Sequence, residues 1–106
     1  MERTLEPIID AILPVLLIRD GRVLGMVSSH FHSAEGAMIN MLAIRKEHRG
    51  HGLGALLLQT YANRLLQHSK TVGLFYSPEN EAAKWLYKSA GFEKVEEWVM
   101  AYVAEQ

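Results

Sequence analysis

Residues 45–54 read RKEHRGHGLG, with Gly50, Gly52 and Gly54 alternating behind Arg49 and a leucine-rich stretch following at once. A helix start leaves backbone N–H groups without partners and carries a partial positive charge. Glycines let the preceding loop fold tightly and let a ligand touch the main chain. Together they make a cradle for phosphate. The local charge agrees, since Arg45, Lys46 and Arg49 outweigh Glu47 before His48 and His51 are counted. Glycine in a helix costs on the order of 1 kcal/mol per position, a cost that a bound anion would offset.

Spacing separates the phosphate-binding classes. A P-loop requires G-x-x-x-x-G-K-[ST], and no lysine follows Gly54. A dinucleotide fold uses G-x-G-x-x-G with an acidic residue about 20 positions on. Here the spacing is G-x-G-x-G, and the stretch near HSKTVG offers no acid. A glycine-rich turn with no ligand is the remaining plain reading. His30-x-His32 and His48-x-x-His51 each offer a pair of imidazoles, but no carboxylate cluster completes either set, so no metal is expected.

These residues need elements to position them. Leu5, Ile8, Ile9, Ile12 and Leu13 recur at helical spacing, which predicts a short amphipathic helix over Glu2–Leu13, ended by Pro14. Val15–Arg19 and Arg22–Phe31 read as strands joined at Asp20-Gly21, a hairpin signal because a tight turn needs positive φ. His32–Gly36 is a turn and Ala37–Arg45 a third strand. After the loop a helix runs from about Gly52 to His68, with Leu57, Leu58, Tyr61, Ala62, Leu65 and Leu66 on its apolar face. Thr71–Ser77 is a buried strand. Ser77–Gly91 is a second helix, with Ser77 or Asn80 as its cap, Pro78 in its first turn and Gly91 at its end. Phe92–Glu105 reads as one long strand or a loose pair.

Short turns make the first three strands antiparallel, and a helical crossover makes the third strand and the Thr71 strand parallel neighbours. The expected fold is α/β (α+β): a mixed, mostly antiparallel twisted sheet with a central parallel pair and helices on both faces. A length of 106 residues suits one domain, here taken as 1–106. A net charge of −1 carries no global field toward nucleic acid or membrane. The absence of cysteine excludes disulfides and thiolate chemistry and fits a reducing interior, so a cytoplasmic location is expected. No signal peptide or membrane span is visible. Trp85 and Trp98 are assigned to core packing rather than to an interface.

Arg49-Gly50-His51-Gly52-Leu53-Gly54 matches R-x-x-G-x-G, and MLAIRKEHRGHGLG resembles the strand-and-loop L-x-V-x-x-x-x-R-G-x-G-x-G of the GNAT superfamily of acetyl-CoA-dependent N-acetyltransferases. NEAAKWLYKSAGF resembles that family's second block, N-x-x-A-x-x-L-Y-x-x-x-G-F, in the right register with one helix and one strand between. The resemblance covers roughly residues 15–104. It implies acetyl-CoA as cosubstrate, with its diphosphate on the amides of Arg49, Gly50, His51, Gly52, Leu53 and Gly54. It implies a pantetheine arm paired with the strand edge at Leu42, Ala43 and Ile44, with Asn80, Ala83 and Tyr87 also at the coenzyme. Tyr87 matches the tyrosine that protonates the leaving thiolate, a role suited to a phenol of pKa near 10. His30, His32 and Glu35 are the candidate bases for the attacking amine, while Glu47 sits among the phosphates and is misplaced for that task. The family usually begins with a further strand and two helices. Few residues precede the first strand here, so a minimal member, a fragment or a wall supplied by a partner is expected, and with it a homodimer. The other functional class is a non-catalytic coenzyme A-binding or protein-interaction domain of the same fold.

Overall fold

The computed structural model describes residues 13–96 and 99–103. The helix expected over Glu2–Leu13 and the side chain of Trp98 fall outside these. Strands β1 (Val15–Arg19) and β2 (Arg22–His32) form the expected hairpin, with Asp20 at φ 53° and Gly21 at φ 78° in its turn. Strand β3 (Gly36–Ile44) returns antiparallel to β2. A single 3-10 turn (Lys46–His48) and the glycine loop lead into helix α1 (Leu53–Leu65). Strand β4 (Thr71–Phe75) is followed by helix α2 (Glu81–Ser89), then β5 (Glu93–Glu96) and β6 (Val99–Val103). The sheet order is β1-β2-β3-β4-β6-β5, and only β3 and β4 run parallel. The C-terminal stretch is thus a hairpin whose second strand inserts beside β4.

Helix α1 starts about where expected but ends at Leu65 rather than His68, and α2 starts at Glu81, four residues after the expected Ser77. The Asn80 side chain accepts from the Ala83 N–H at 3.0 Å, so Asn80 rather than Ser77 caps α2, and Pro78 lies in the turn before it. Leu57, Leu58, Tyr61, Ala62 and Leu65 of α1 are buried against the sheet face that displays Val27, Ala37, Ile39, Val72, Leu74 and Met100. Tyr87 of α2, with Ala90 and Phe92 just beyond it, joins the same cluster. Each large side chain buried there contributes about 1.5–3 kcal/mol. Both described helices therefore share one face of the sheet. None of the described helices is long and apolar enough to cross a membrane.

Two irregularities shape the middle of the sheet. The parallel pairing of β3 with β4 runs from Gly36↔Thr71 to Ile39↔Leu74 and stops there, while β3 continues to Ile44. At that point the β2 pairing jumps from Ser28↔Met41 to Ser29↔Ile39, so Asn40 is an extra, bulged residue. The Asn40 side chain accepts from Ser28 Oγ at 2.9 Å across the strands. Beyond the bulge the pairing with β4 does not resume, and this edge of β3 has no strand partner among the described residues.

Candidate active site

The loop begins where Arg45 closes β3. Its N–H donates to Leu24 O at 2.7 Å, toward β2. Alternation along an extended strand then turns the polar groups of Ala43 toward β2 as well and those of Leu42 and Ile44 toward the open edge. Arg49 Nε donates to Ile44 O at 2.9 Å, which fits that direction. The expectation that Leu42, Ala43 and Ile44 all line the edge is corrected at Ala43, whose backbone is turned to β2; Ile44 stays on the edge with its carbonyl on Arg49, and Leu42 has its amide and carbonyl at the opening.

Gly50 (φ 85°) and Gly52 (φ 79°) adopt left-handed conformations that other residues rarely take, and a Cβ at either would meet nothing within 4 Å. Their role is to aim the chain, and the space beside them stays open. Gly54 serves packing instead, since a Cβ there would lie 3.3 Å from Leu86 of α2. Because Gly52 is the N-cap of α1, no side chain closes the helix start. The first bond of α1 is Leu56 N–H to Gly52 O at 3.1 Å, and the amides of Gly50, His51, Gly52, Leu53, Gly54 and Ala55 donate to no described acceptor. These N–H groups and the positive end of α1 converge with the Arg49 guanidinium, whose terminal nitrogens make no hydrogen bond among the described residues. An anion is the chemistry that completes such a set.

A cavity of about 760 Å³ lies over this loop, between it and α2, with Ile44, Arg49, Gly52, Trp85 and Leu86 among its walls. A smaller one of about 50 Å³ marks the point where β3 and β4 part, and Asn40, Met41, Leu42, Phe75 and Tyr87 line it. Tyr87 is half-buried there; burial alone pushes its phenol up, and its hydroxyl makes no hydrogen bond with a described residue. Its ring tilts against Phe92 at 6.5 Å between centroids. Asn80 caps α2, and the Ala83 amide is consumed in that cap. A third cavity of about 690 Å³, between α1 and the β5–β6 hairpin, contains none of the residues expected to do chemistry.

The candidate bases lie elsewhere. His30 and His32 pair with Met38 and Ala37, at the far end of β3 from the loop. His30 is exposed. His32 Nε2 is 2.8 Å from Ser29 Oγ, which in turn is 2.7 Å from the hydroxyl of the fully buried Tyr61. Burial first, and the charge of His30 second, hold the His32 imidazole below its ordinary range. The Tyr61 phenol is raised by burial despite the Ser29 bond. Glu35 is exposed and sits 3.8 Å from Lys70 Nζ. None of the three lines either opening described above. His30 and His32 do not pair in one continuous register, because the β2–β3 pairing shifts between them. Glu47, beside the loop, is held more acidic than usual, first by a backbone hydrogen bond and also by Arg45, His48 and Arg22, although some desolvation opposes this.

Two residues at the openings were missed from the sequence. Asn40 had a signal, a polar amide inside the apolar run AMINMLAI. Trp85, assigned to the core, is 73% exposed, a correction that periodicity alone does not yield because the indole stands beside the α2 face that packs.

The chain matches the family model described as the acetyltransferase (GNAT) domain over residues 13–94. No curated protein matches it. Among solved structures it is similar to a GNAT family acetyltransferase from Elizabethkingia anophelis with acetyl-CoA bound, at TM-score 0.79 and 12% identity over 98% of this chain and 84% of that one. It is similar to a Pyrococcus horikoshii protein at TM-score 0.77 and 19% identity, over 99% of this chain and 72% of that one. For the ribosomal-protein-S18-alanine N-acetyltransferase from Escherichia coli the values are 0.73 and 21%, over 89% and 70%. These identities speak for the fold; the family model, reaching from β1 to the start of β5 and with them the loop, the parted strands and Tyr87, makes this chain a member of the GNAT acetyltransferase domain family.

Proposed function

We propose that this protein transfers an acetyl group from acetyl-CoA to a primary amine of a small molecule or peptide, by direct attack within a ternary complex. The observation that carries the reading is the row of amides from Gly50 to Ala55 with no described acceptor, at the start of α1 and beside the 760 Å³ cavity, while Tyr87 lines the opening where β3 parts from β4. The diphosphate of the coenzyme rests on those amides and on Arg49. The pantetheine arm follows the strand edge, where Leu42 offers an amide and a carbonyl to its own amides, as an added strand would. The thioester then lies where β3 leaves β4, beside Asn40, Met41 and Tyr87.

Attack by the amine nitrogen on the thioester carbon forms the C–N bond and puts negative charge on the carbonyl oxygen, which strand amides at the opening stabilise. Collapse breaks the C–S bond, and the thiolate leaves. Tyr87, kept protonated at neutral pH by burial, gives its proton to the departing sulfur; the acylated nitrogen sheds its extra proton to water, and the phenolate takes one back from water, so the amide, the free thiol and the phenol are all left neutral. The acceptor must arrive neutral. An amine of pKa near 10.4 is about one-thousandth neutral at pH 7.4, a cost of roughly 4 kcal/mol. With His30, His32 and Glu35 away from the opening, that proton leaves to water between the exposed side chains of Met41 and Phe75. A homodimer belongs to the same reading and has Leu16 and Ile18 on edge strand β1, about half exposed, as the surface a second copy would cover; sedimentation velocity tests it.

The test is thiol release from acetyl-CoA over a panel of amines, run beside a thermal shift with coenzyme A. Release with at least one amine is the expected result. A thermal shift without release on any amine would instead mean a coenzyme-binding domain that performs no transfer.

A further inference from the structure

Trp85 is the most exposed of the large apolar side chains among the described residues, at 73%. It makes no ring contact with another described aromatic. An indole left in water forfeits much of the stabilisation that burial of so large a ring supplies. Yet Trp85 stands in a concave place. Ala82, Trp85, Leu86 and Ser89 share one side of α2 and form a wall of the 760 Å³ cavity whose facing wall is the glycine loop. Tyr87 belongs to the opening between the strands, so α2 gives one side to the reacting end and another to the phosphate end.

Resting on the coenzyme reading above, we infer that Trp85 is the platform on which the purine ring of the coenzyme stacks. With the diphosphate on the Gly50–Ala55 amides and the arm running inward to Tyr87, the nucleoside end must leave the loop outward. The side chains around the cavity are largely apolar apart from His48, Arg49 and Ser89, and Trp85 provides the largest flat surface among its described walls. A purine has a π-face and wants such a surface, and base–aromatic stacking tolerates solvent on the far side. Trp85 therefore selects for the adenine-bearing coenzyme over thioesters of the bare phosphopantetheine arm.

The experiment is calorimetry of wild type, Trp85→Ala and Trp85→Phe with coenzyme A and with 4′-phosphopantetheine, which keeps the arm and lacks the adenosine. Trp85→Ala is expected to weaken coenzyme A about 10-fold, Trp85→Phe to restore most of that, and neither to alter 4′-phosphopantetheine by more than about 2-fold. Because the side chain is exposed, both variants keep the wild-type melting temperature. Unchanged coenzyme A affinity in Trp85→Ala overturns the inference and leaves the coenzyme reading standing. Equal losses for both ligands also overturn it, since the residue would then act on the arm or the phosphate. Wild type that binds no coenzyme A removes the reading and the inference together.

Discussion

From Gly36 to Ile39, β3 is held on both sides, and the polar side chains around that end find partners: Ser29 with His32 and Tyr61, Ser69 with Ser33 O, Thr71 with Glu35 O. From Asn40 onward β2 alone among the described strands pairs with it, and past its end the amides of Gly50 to Ala55 have no described acceptor. Folded proteins rarely leave donors unanswered. Where one end of a strand satisfies its polar groups and the other leaves a row of them open beside a cavity, the open end is built for a ligand and the closed end for stability. His30, His32 and Glu35, whose residue types alone suggest a catalytic part, stand at the closed end and line neither opening.

The comparison breaks most directly at the loop. Gly52→Val puts a β-branched side chain at φ 79°, a strain of roughly 1–2 kcal/mol, and fills the space the diphosphate would use. Several charge-assisted hydrogen bonds of about 1.5–3 kcal/mol each are then lost, so affinity for coenzyme A, read by calorimetry, falls by ~100-fold or more. Retained affinity would mean that the open amides serve no anion. Next, Tyr87→Phe keeps the ring against Phe92 and removes only the hydroxyl. Turnover should drop about 100-fold, as expected for loss of a general acid, with coenzyme A affinity within about 2-fold of wild type. The closed end supplies the matching control. His30→Ala and Glu35→Ala should each leave kcat within about 2-fold, and a fall like that of Tyr87→Phe would return the base to that end of the strand.

How much of this was readable in advance follows the range of the interactions. Asp20-Gly21, the Arg49–Gly54 loop and the Asn80 cap are local: a few neighbouring residues determine φ or a capping bond, and each appears in the structure where its residues stand. The parallel pairing of β3 and β4 also followed, because a crossover helix leaves a strand few other places. What did not follow rests on contacts far apart in the chain. Ser29 meets Tyr61 across 32 positions, and through Ser29 the half-buried His32 joins that hydrogen-bonded group. The Asn40 bulge exists only relative to Ser28 and Ser29 of the facing strand. Whether Trp85 is covered depends on what packs beside α2, which helical spacing does not encode.

The network at the closed end is itself a stability element. Ser29→Ala removes its central oxygen, which both His32 and Tyr61 contact. The expected cost is about 1–2 kcal/mol, within the range for disturbing buried hydrogen-bonded groups. For a domain of this size each kcal/mol lowers the melting temperature by roughly 4–8 °C. Coenzyme A affinity should not change, because the loop lies at the other end of β3. A melting temperature equal to wild type would mean that the hydrogen bonds joining Ser29, His32 and Tyr61 carry no stability.

The smallest effect is in pH. His32 has a folded pKa below its ordinary value of 6.5, because burial disfavours the cation and His30 adds to that. Above the unfolded value both states are neutral at this position, and the network with Ser29 contributes fully. As pH falls through the unfolded pKa, the unfolded chain takes up a proton that the folded chain still resists, so ΔG of unfolding declines with falling pH until the folded pKa is also passed. Carboxylates elsewhere titrate over part of the same range, so the informative quantity is the difference between wild type and His32→Gln. Glutamine keeps a donor and an acceptor near Ser29 Oγ and titrates nowhere. Urea midpoints at pH 7.5 and pH 5.5 should show wild type losing more stability than His32→Gln. Parallel losses would mean that His32 is as free to charge in the folded protein as in the unfolded chain, and the closed end of β3 would then be less closed than its hydrogen bonds imply.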